Sequence, residues 1–396
     1  MNQKARAVVC RELDRPVVVE DIVVEAPRRG EVMIKRAACG VCHSDLSATN
    51  GTIPFPPPLV LGHEGAGIVV QVGEGVTEFA VGDAAISSFV SMCGKCRYCV
   101  TGRPQLCDQA AKTLFTLPDG SVRTTDAAGK PLNVFSGCGV MAEYATLHTD
   151  NLVKVGHEVA LDCCALVSCG VMTGVGAACN TAKVEPGSIA IVFGAGGVGL
   201  NAIQGCALAG AAMIVAVDLS DSKLETARVF GATHTVNSGR EENVVKTLRK
   251  LTAGGADYAF ECVGQGALLA QAYGALRKGG TAVMVGIARP KDETLLRTST
   301  FSFEEKTVTG SYFGSGRPRD DFPRILSLYR AGRLKLDELI TQRYRIDEAP
   351  QAFDDLAHGR NARGMIMFDC AMRRPTDGRP AMACRDRGRW RGSAKH

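Results

Sequence analysis

Ile189-Ala-Ile-Val-Phe193-Gly194-Ala-Gly196-Gly197-Val198-Gly199 opens a stretch with no charged side chain before Asp218. A run this long and apolar has the composition of a membrane span, but its glycines argue against one. Ile189 to Phe193 reads as a buried parallel strand, apolar on both faces. It leads directly into G-x-G-x-x-G. Leu200 to Gly210 are helix formers ending in a glycine stop, and Met213 to Val217 is a second strand closed by Asp218. Together they make one βαβ unit.

Each part has a physical task. Gly194 permits the tight turn, Gly196 lets the backbone approach a pyrophosphate, and Gly199 lets helix and strand pack closely. The helix N-terminus offers free N–H groups and a favourable dipole to a phosphate. Asp218, 24 residues after Gly194, is placed to accept hydrogen bonds from an adenosine ribose and to repel a 2′-phosphate. NAD is therefore expected over NADP.

At 396 residues the chain is long enough for about two domains. The N-terminus lacks the long apolar segment of a signal peptide, so export is not expected. Sixteen cysteines without such a signal point to reduced thiols in the cytoplasm, and to metal rather than a disulfide framework. The net charge of +5 arises in the tail: residues 371 to 396 hold seven Arg and one Lys against two Asp. The main body has no basic excess of the kind nucleic-acid binding requires. The tail is patternless and nearly free of aliphatics, so disorder is its expected state.

Residues 1 to 37 alternate apolar and polar positions, as at the start of a β-rich domain. Cys39-Gly-Val-Cys42-His43-Ser44-Asp45 follows. Its C-x-x-C pair admits a redox or zinc-knuckle reading, but no thioredoxin-like βαβ stands beside it. In Gly62-His63-Glu64-Gly65 the histidine is a potential ligand. The most specific local signal is Cys93-x-x-Cys96-x-x-Cys99 with Cys107 close behind. Four thiolates can enclose one tetrahedral Zn²⁺ and leave no open position, which marks a structural site. Residues 108 to 137 read as an irregular, partly solvent-facing loop. Apolar and small residues from Val159 to Val175 include Cys163, Cys164 and Cys169, and composition does not say which of these matters. Beyond Asp218 the β/α alternation continues to Gly310, giving about six parallel strands. A different pattern from about residue 313 suggests that the chain returns to its first domain.

These motifs, with Cys169-Gly-Val-Met-Thr173-Gly, occur in the order found in the zinc-containing medium-chain alcohol dehydrogenases, which the chain resembles from residue 5 to 369. The loop between Cys107 and Gly137 resembles the longer, dimeric branch. The fold this implies is α/β: a doubly wound Rossmann domain inserted into a β-rich, GroES-like catalytic domain. Its expected parts are a first catalytic segment at 1–170 with the cysteine lobe at 93–107, an NAD-binding domain at 171–312, a return segment at 313–370, and the basic tail at 371–396.

The resemblance implies that Cys42, His63 and Cys169 bind a catalytic zinc, whereas Cys39, Cys163 and Cys164 do not. Cys93, Cys96, Cys99 and Cys107 hold the structural ion, giving two Zn²⁺ per chain. Two thiolates and an imidazole leave a fourth position for substrate oxygen. Zinc lowers the pKa of bound water from ~15.7 to about 7, and an alcohol there should respond likewise before giving hydride to the nicotinamide. By the same analogy Asp45 supports His63, and Glu64 is a possible alternative ligand. Ser44 takes the hydroxyl proton toward the cofactor ribose, although at this turn it is equally a helix cap. Phe89, Phe135 and Ile287 match substrate-pocket positions, with Ile53 in the rim. Thr173 belongs to the family's cofactor-side motif, Lys223 matches a residue near the ribose, and Arg363 one that meets the pyrophosphate.

The chain departs from many relatives at Ser47, where they end a proton relay with histidine, and at His43, where they often carry arginine against the pyrophosphate. A phosphate contact from His43 is expected to weaken as it deprotonates near ~6.5. The resulting expectation is an NAD-dependent alcohol dehydrogenase acting on a medium-sized or aromatic primary alcohol. It would be cytoplasmic, and a homodimer or homotetramer. Two alternatives stand beside it: a glutathione-dependent formaldehyde dehydrogenase, against which the apolar Ile53 weighs, and a non-catalytic zinc protein binding nucleic acid.

Overall fold

In a computed structural model describing residues 1–368, Ile189–Phe193 is an inner strand of a six-stranded sheet. From one edge the order is His234–Asn237, Met213–Asp218, Ile189–Phe193, Ala256–Glu261, Leu276–Met284 and Thr307–Gly310. Every neighbouring pair is parallel. The strand order reverses between Ile189–Phe193 and Ala256–Glu261, so the glycine loop opens at the crevice where such sheets take their ligands. The helix after the loop is Gly197–Leu208, and the apolar stretch is thus strand, helix and strand.

Two further sheets come from the first part of the chain. One has the order Thr124–Asp126, Val18–Val24, Gln3–Cys10, Leu59–Val60 and Asn133–Val134. The other is built on the long strand Glu31–Val41, which pairs with Glu64–Val72, Tyr144–His148 and Gly364–Met367. Through the last pairing the chain returns to its first sheets after the parallel one. That return brings Arg363, next to the strand, toward Val41 and Cys42.

Residues 108–137 differ from the loop expected. They contain the strands Thr124–Asp126 and Asn133–Val134, both paired at sheet edges, and Leu117, Leu132 and Phe135 are buried. The reason is a contact with no local sequence signal. Arg123, 1% exposed, donates to Glu31 at 2.9 and 2.6 Å and to Asp119 at 2.5 Å. Replacing Arg123 by methionine would leave the Glu31 carboxylate buried and unpaired, with an expected loss of about 3 kcal/mol of stability. Urea unfolding of the variant, with an unchanged slope and a lower midpoint, is the check; an unchanged midpoint would make the pair dispensable.

The apolar segment around Cys169 also exceeds its sequence reading. Leu161–Ala182 is one helix of 22 residues, long and apolar enough to cross a membrane by length and composition, yet 94% of its most apolar window is buried inside the protein. It passes through the boundary expected at residue 170, and its core cluster joins Ala38, Ala66 and Ile86 of the first domain to Val192 and Phe260 of the parallel sheet. Two π-helical segments, Val167–Val171 and Ala177–Ala182, interrupt it. Such insertions are frequent at functional sites, and the first contains Cys169. Within the β/α alternation the helix Gly266–Gly274 stops where the next strand starts at Leu276. The tail expected to be disordered, 371–396, lies outside the described residues.

Candidate active site

Four residues from three remote stretches of the chain converge between the first domain and the parallel sheet. Cys42 precedes the short helix His43–Thr49, His63 and Glu64 stand at the start of the strand Glu64–Val72, and Cys169 comes from the π-helical segment. One ligand atom from each of Cys42, His63, Glu64 and Cys169 lies within 4.8 Å of the others, and all four residues are buried. Cys39 is not in this group: its thiol faces the carbonyl of Gly40 at 3.5 Å. Cys163 lies by Tyr329 and Asp337, and Cys164 by the Val159 carbonyl.

The donor set fits a divalent cation. Asp45 Oδ1 lies 3.3 Å from His63 Nδ1 and accepts from Gly62 N at 2.9 Å, while Oδ2 accepts from Cys42 N at 3.2 Å. The imidazole is thereby held from one side, and its buried Nε2 has no hydrogen-bond partner. A buried polar atom without a partner is costly, and a metal ion is the partner this one lacks. Without an ion, a hydrogen bond from Cys169 holds the Cys42 thiol well below its ordinary range, and Cys169 is correspondingly pushed well above it. A cation removes that conflict by allowing both sulfurs to be thiolates. Burial pulls His63 down, but Asp45 and Cys42 outweigh it and hold the ring well above its ordinary value.

Glu64 and Arg363 pair inside this site, which their separate sequence assignments did not foresee. Burial raises the Glu64 carboxyl to about 7 against the pull of Arg363, and its second oxygen has no partner. Arg363 reaches further: a Cβ on Gly197 would lie 3.3 Å from its Cδ. One buried guanidinium therefore links the ligand cluster to the glycine loop. Ser44 Oγ lies 3.8 Å from Cys42 Sγ. Cys42, not Ser44, occupies the helix N-cap, so the structure does not use the serine as that cap. Ser47 is half-buried, and its carbonyl accepts from Ile53 N at 2.9 Å.

His43 is affected first by burial, which lowers its pKa, then by Cys42, which raises it, and by Arg363 and Lys223, which lower it; the net shift is downward. Burial is the largest of these causes, and the two cations add to it.

The glycine loop has the shape of a phosphate cradle. Gly194 has φ +89, and a Cβ there would lie 2.6 Å from Val263 Cγ2. A Cβ on Gly199 would overlap the Gly194 carbonyl, so the helix approaches the strand at backbone distance. At Gly196 a Cβ would meet nothing within 4 Å, and this glycine caps Gly197–Leu208 with no side-chain hydrogen bond. The first N–H groups, including that of half-buried Val198, are free to meet an anion. Asp218 ends its strand with Oδ2 accepting from Ala195 N at 2.8 Å and Oδ1 from Ser220 N at 3.0 Å. Lys223 reaches across to the return segment, its Nζ 3.3 Å from where a Cβ on Gly359 would sit. Thr173 is buried in the helix packed against Gly197–Leu208.

The second cysteine group is separate. One sulfur each from Cys93, Cys96, Cys99 and Cys107 lies within 4.8 Å of the others. Backbone N–H groups of Cys99 and Asp108 hold Cys96 down to about 6, while burial pushes Cys99 and Cys107 up. Four sulfurs with no further ligand fit a closed tetrahedral ion.

Aromatic rings wall the first cluster. His63 lies 5.6 Å edge-on from Phe89 and 5.0 Å from Phe135. Ile53 is partly buried against the neighbouring core. Ile287 is 58% exposed and carries its backbone against Gly264. Sequence reasoning missed Tyr312, whose ring lies 6.0 Å edge-on from Phe89. No spacing or motif marks it.

Residues 28–157 match the family model described as an alcohol dehydrogenase GroES-like domain, and residues 197–331 the one described as a zinc-binding dehydrogenase. The NDMA-dependent alcohol dehydrogenase of Amycolatopsis methanolica is 41% identical over 369 residues, covering 92% of this chain and 99% of that protein. The S-(hydroxymethyl)glutathione dehydrogenase of Paracoccus denitrificans is 37% identical, covering 92% and 100%. Among solved structures, benzyl alcohol dehydrogenase from Acinetobacter calcoaceticus superposes with a TM-score of 0.86 at 33% identity, covering 92% of this chain and 99% of that one.

Proposed function

Because this chain belongs to the zinc-containing medium-chain alcohol dehydrogenase family, we propose that it oxidises medium-sized or aromatic primary alcohols reversibly with NAD, using one catalytic and one structural zinc. The enzyme is an oxidoreductase acting on small-molecule alcohols. The single observation that carries the finer reading is the unpartnered Nε2 of His63 beside the sulfurs of Cys42 and Cys169.

Cys42, His63 and Cys169 would hold the catalytic ion, with Glu64 near enough to exchange with a ligand, and Cys93, Cys96, Cys99 and Cys107 the structural one. When bound, zinc supplies Lewis acidity that makes a hydroxyl in its open position easier to deprotonate. Asp45 fixes the ring of His63, and Arg363 holds Glu64 while reaching the pyrophosphate side. Ser44 Oγ would take the hydroxyl proton on the cofactor side, and with Ser47 at the usual histidine position release to solvent would use water or another group. Replacing Asp45 by asparagine removes the carboxylate charge from His63, so zinc affinity at this site should fall by about 10- to 100-fold. Competition with a chromophoric chelator reads the change; an affinity equal to that of the unmodified protein would show that Asp45 has no such role.

NAD is favoured because Asp218, held by two backbone N–H groups, presents a carboxylate where NADP carries phosphate. An aromatic substrate is favoured by the ring wall of Phe89, Phe135 and Tyr312, and the benzyl alcohol dehydrogenase neighbour carries the same preference in its name. Cytoplasmic residence is part of the reading, in keeping with free thiols throughout the described residues. So is a homodimer. Thr307–Gly310 is an edge strand, and Leu295 and Phe303 are 95% and 83% exposed, a combination that invites pairing with a second copy. Light scattering at the mass of two chains is expected, and a monomer at micromolar concentration would overturn this part.

The test is a panel of benzyl alcohol, hexan-1-ol, ethanol and S-hydroxymethylglutathione followed by NADH absorbance at 340 nm. Benzyl or hexyl alcohol is expected to lead. Ethanol far ahead of both would refute the substrate class, and a lead for S-hydroxymethylglutathione would move the enzyme to the glutathione-dependent branch.

A further inference from the structure

The long strand Glu31–Val41 carries a charge into the interior of the first domain. Arg36 is 0% exposed, and its Nε, Nη1 and Nη2 have no hydrogen-bond partner among the described residues. The other buried arginines differ. Arg123 meets Glu31 and Asp119, and Arg363 meets Glu64. Arg36 N donates to the Glu143 carbonyl at 2.9 Å, but the Glu143 carboxylate accepts from Arg6.

The groups whose charge bears on Arg36 are the thiols of Cys138 and Cys39. Burial brings the guanidinium down to about 10, so it remains protonated at neutral pH. Burial also pushes Cys138 up to about 12 and Cys39 well above its ordinary range, so neither sulfur supplies a counter-charge. Their hydrogens are directed at backbone: Cys39 faces the Gly40 carbonyl at 3.5 Å and Cys138 the Ser88 carbonyl at 3.4 Å. A buried charge is ordinarily paired and hydrogen-bonded, because desolvation is otherwise uncompensated. A guanidinium with every N–H open presents a planar fork of donors suited to an anion.

The surroundings restrict the size of that anion. A Cβ on Gly65 would lie 3.5 Å from Nη1 and 2.8 Å from Val140 Cγ2, so the guanidinium lies against glycine backbone beside a packed valine. Val140, Cys39 and Cys138 are themselves buried. Such walls favour one small ion over a hydrated phosphate or a carboxylate. A pocket of about 210 Å³ lined by Lys35, Arg36, Glu143, Tyr144 and Phe368 lies at the same point of the strand. Arg6 offsets the Glu143 charge there, and Lys35 adds a positive one.

We propose that Arg36 is the core of a buried site for one small monovalent anion of the halide class, set between the two strands that deliver Cys42 and His63. Arg36 pairs with Gly67 across those strands, one of which ends next to Cys42 while the other begins next to His63. The anion neutralises the guanidinium and holds this part of the sheet together. It takes no part in hydride transfer, and the assignment does not depend on the substrate class.

The test uses bromide and chloride on the zinc-loaded full chain. Crystals grown in sodium bromide should give an anomalous peak at the bromine edge within about 3.5 Å of the Arg36 guanidinium nitrogens. In solution, replacing sodium gluconate by sodium chloride at constant ionic strength should raise the melting temperature by about three degrees or more, once chloride is about 100-fold above its dissociation constant. Arg36→Met is apolar and of similar length, and removing a buried charge outright is often neutral or stabilising. It should fold, and lose both the peak and the halide dependence. Arg36→Lys keeps the charge without the fork, so its dissociation constant should rise about tenfold. Halide taken up at the catalytic ion would act on Arg36→Met as on the parent, and an equal shift in the two would overturn the proposal. No bromide at Arg36 would overturn it too, as would a peak there with no halide dependence in solution, which marks an adventitious ion only. Should Arg36→Met fail to fold, Arg36→Lys carries the comparison, and an unchanged dissociation constant counts against the site.

Discussion

Alanine in place of Cys169 should reduce the zinc content from about two ions per chain to about one, and NAD-linked alcohol oxidation by about three orders of magnitude or more. The reason is geometric. Cys169 comes from a π-helical segment of a helix 94% buried over its apolar window, and the described residues show no other sulfur in its ligand group besides Cys42. Removing it leaves His63 and Cys42, with Glu64 tied to Arg363. Two ligands, with Glu64 able to serve as a third only by leaving Arg363, should hold the ion far more weakly. The glycine loop lies outside this change, so NADH should still bind with near-normal affinity, read from the change in the fluorescence of NADH itself. Loss of cofactor binding together with activity would point to collapse of the fold instead, and full activity would show that the chemistry lies elsewhere.

The second large effect separates two glycines of one motif. Gly196→Val puts its side chain into space where a Cβ meets no protein atom within 4 Å, so the melting temperature should stay within about two degrees and both zinc ions should remain. The occupied space is that of the pyrophosphate, and the dissociation constant for NADH should rise by about 100-fold or more, the loss of several charge-assisted hydrogen bonds. Gly199→Val has the opposite character. Its Cβ overlaps the Gly194 carbonyl, so helix and strand must separate and the protein should fail to fold stably. Calorimetry and NADH titration of the two variants give the comparison. A Gly196→Val protein that binds NADH normally would contradict the assignment of the crevice.

These two contrasts also explain what was legible in the sequence. Gly194, Gly196 and Gly199 could be read because only glycine fits a positive φ, an open cradle and a backbone-distance packing contact. The cysteine lobe could be read because four sulfurs from nearby positions make one local site. The remote triad Cys42, His63 and Cys169 was reached only through the family resemblance; nothing in the local spacing distinguishes Cys169 from Cys163 or Cys164, which the helix turns elsewhere.

Other features had no sequence signal at all. Arg123 meets Glu31 across 92 residues, so the segment around it looked like a loop. Tyr312 reaches the ring wall because Phe313 and Ser315, neither a glycine, adopt left-handed backbone conformations under restraint from Thr181. Propensity predicts the opposite for such residues, and only the packed helix beneath them reverses it. The Glu64–Arg363 pair likewise depends on the return strand Gly364–Met367 docking against Val41 to Ala38, a tertiary event with no local periodicity. The downward shift of His43 depends partly on Arg363 arriving by that same route.

An anomalous-difference map collected above and below the zinc absorption edge, from crystals of the protein as isolated, tests the central claim most directly. Two peaks per chain are predicted, one bounded by the sulfurs of Cys93, Cys96, Cys99 and Cys107, the other within about 2.4 Å of Cys42 Sγ, Cys169 Sγ and His63 Nε2. A single peak confined to the four-cysteine lobe, in protein that nevertheless oxidises alcohols with NAD, would contradict it.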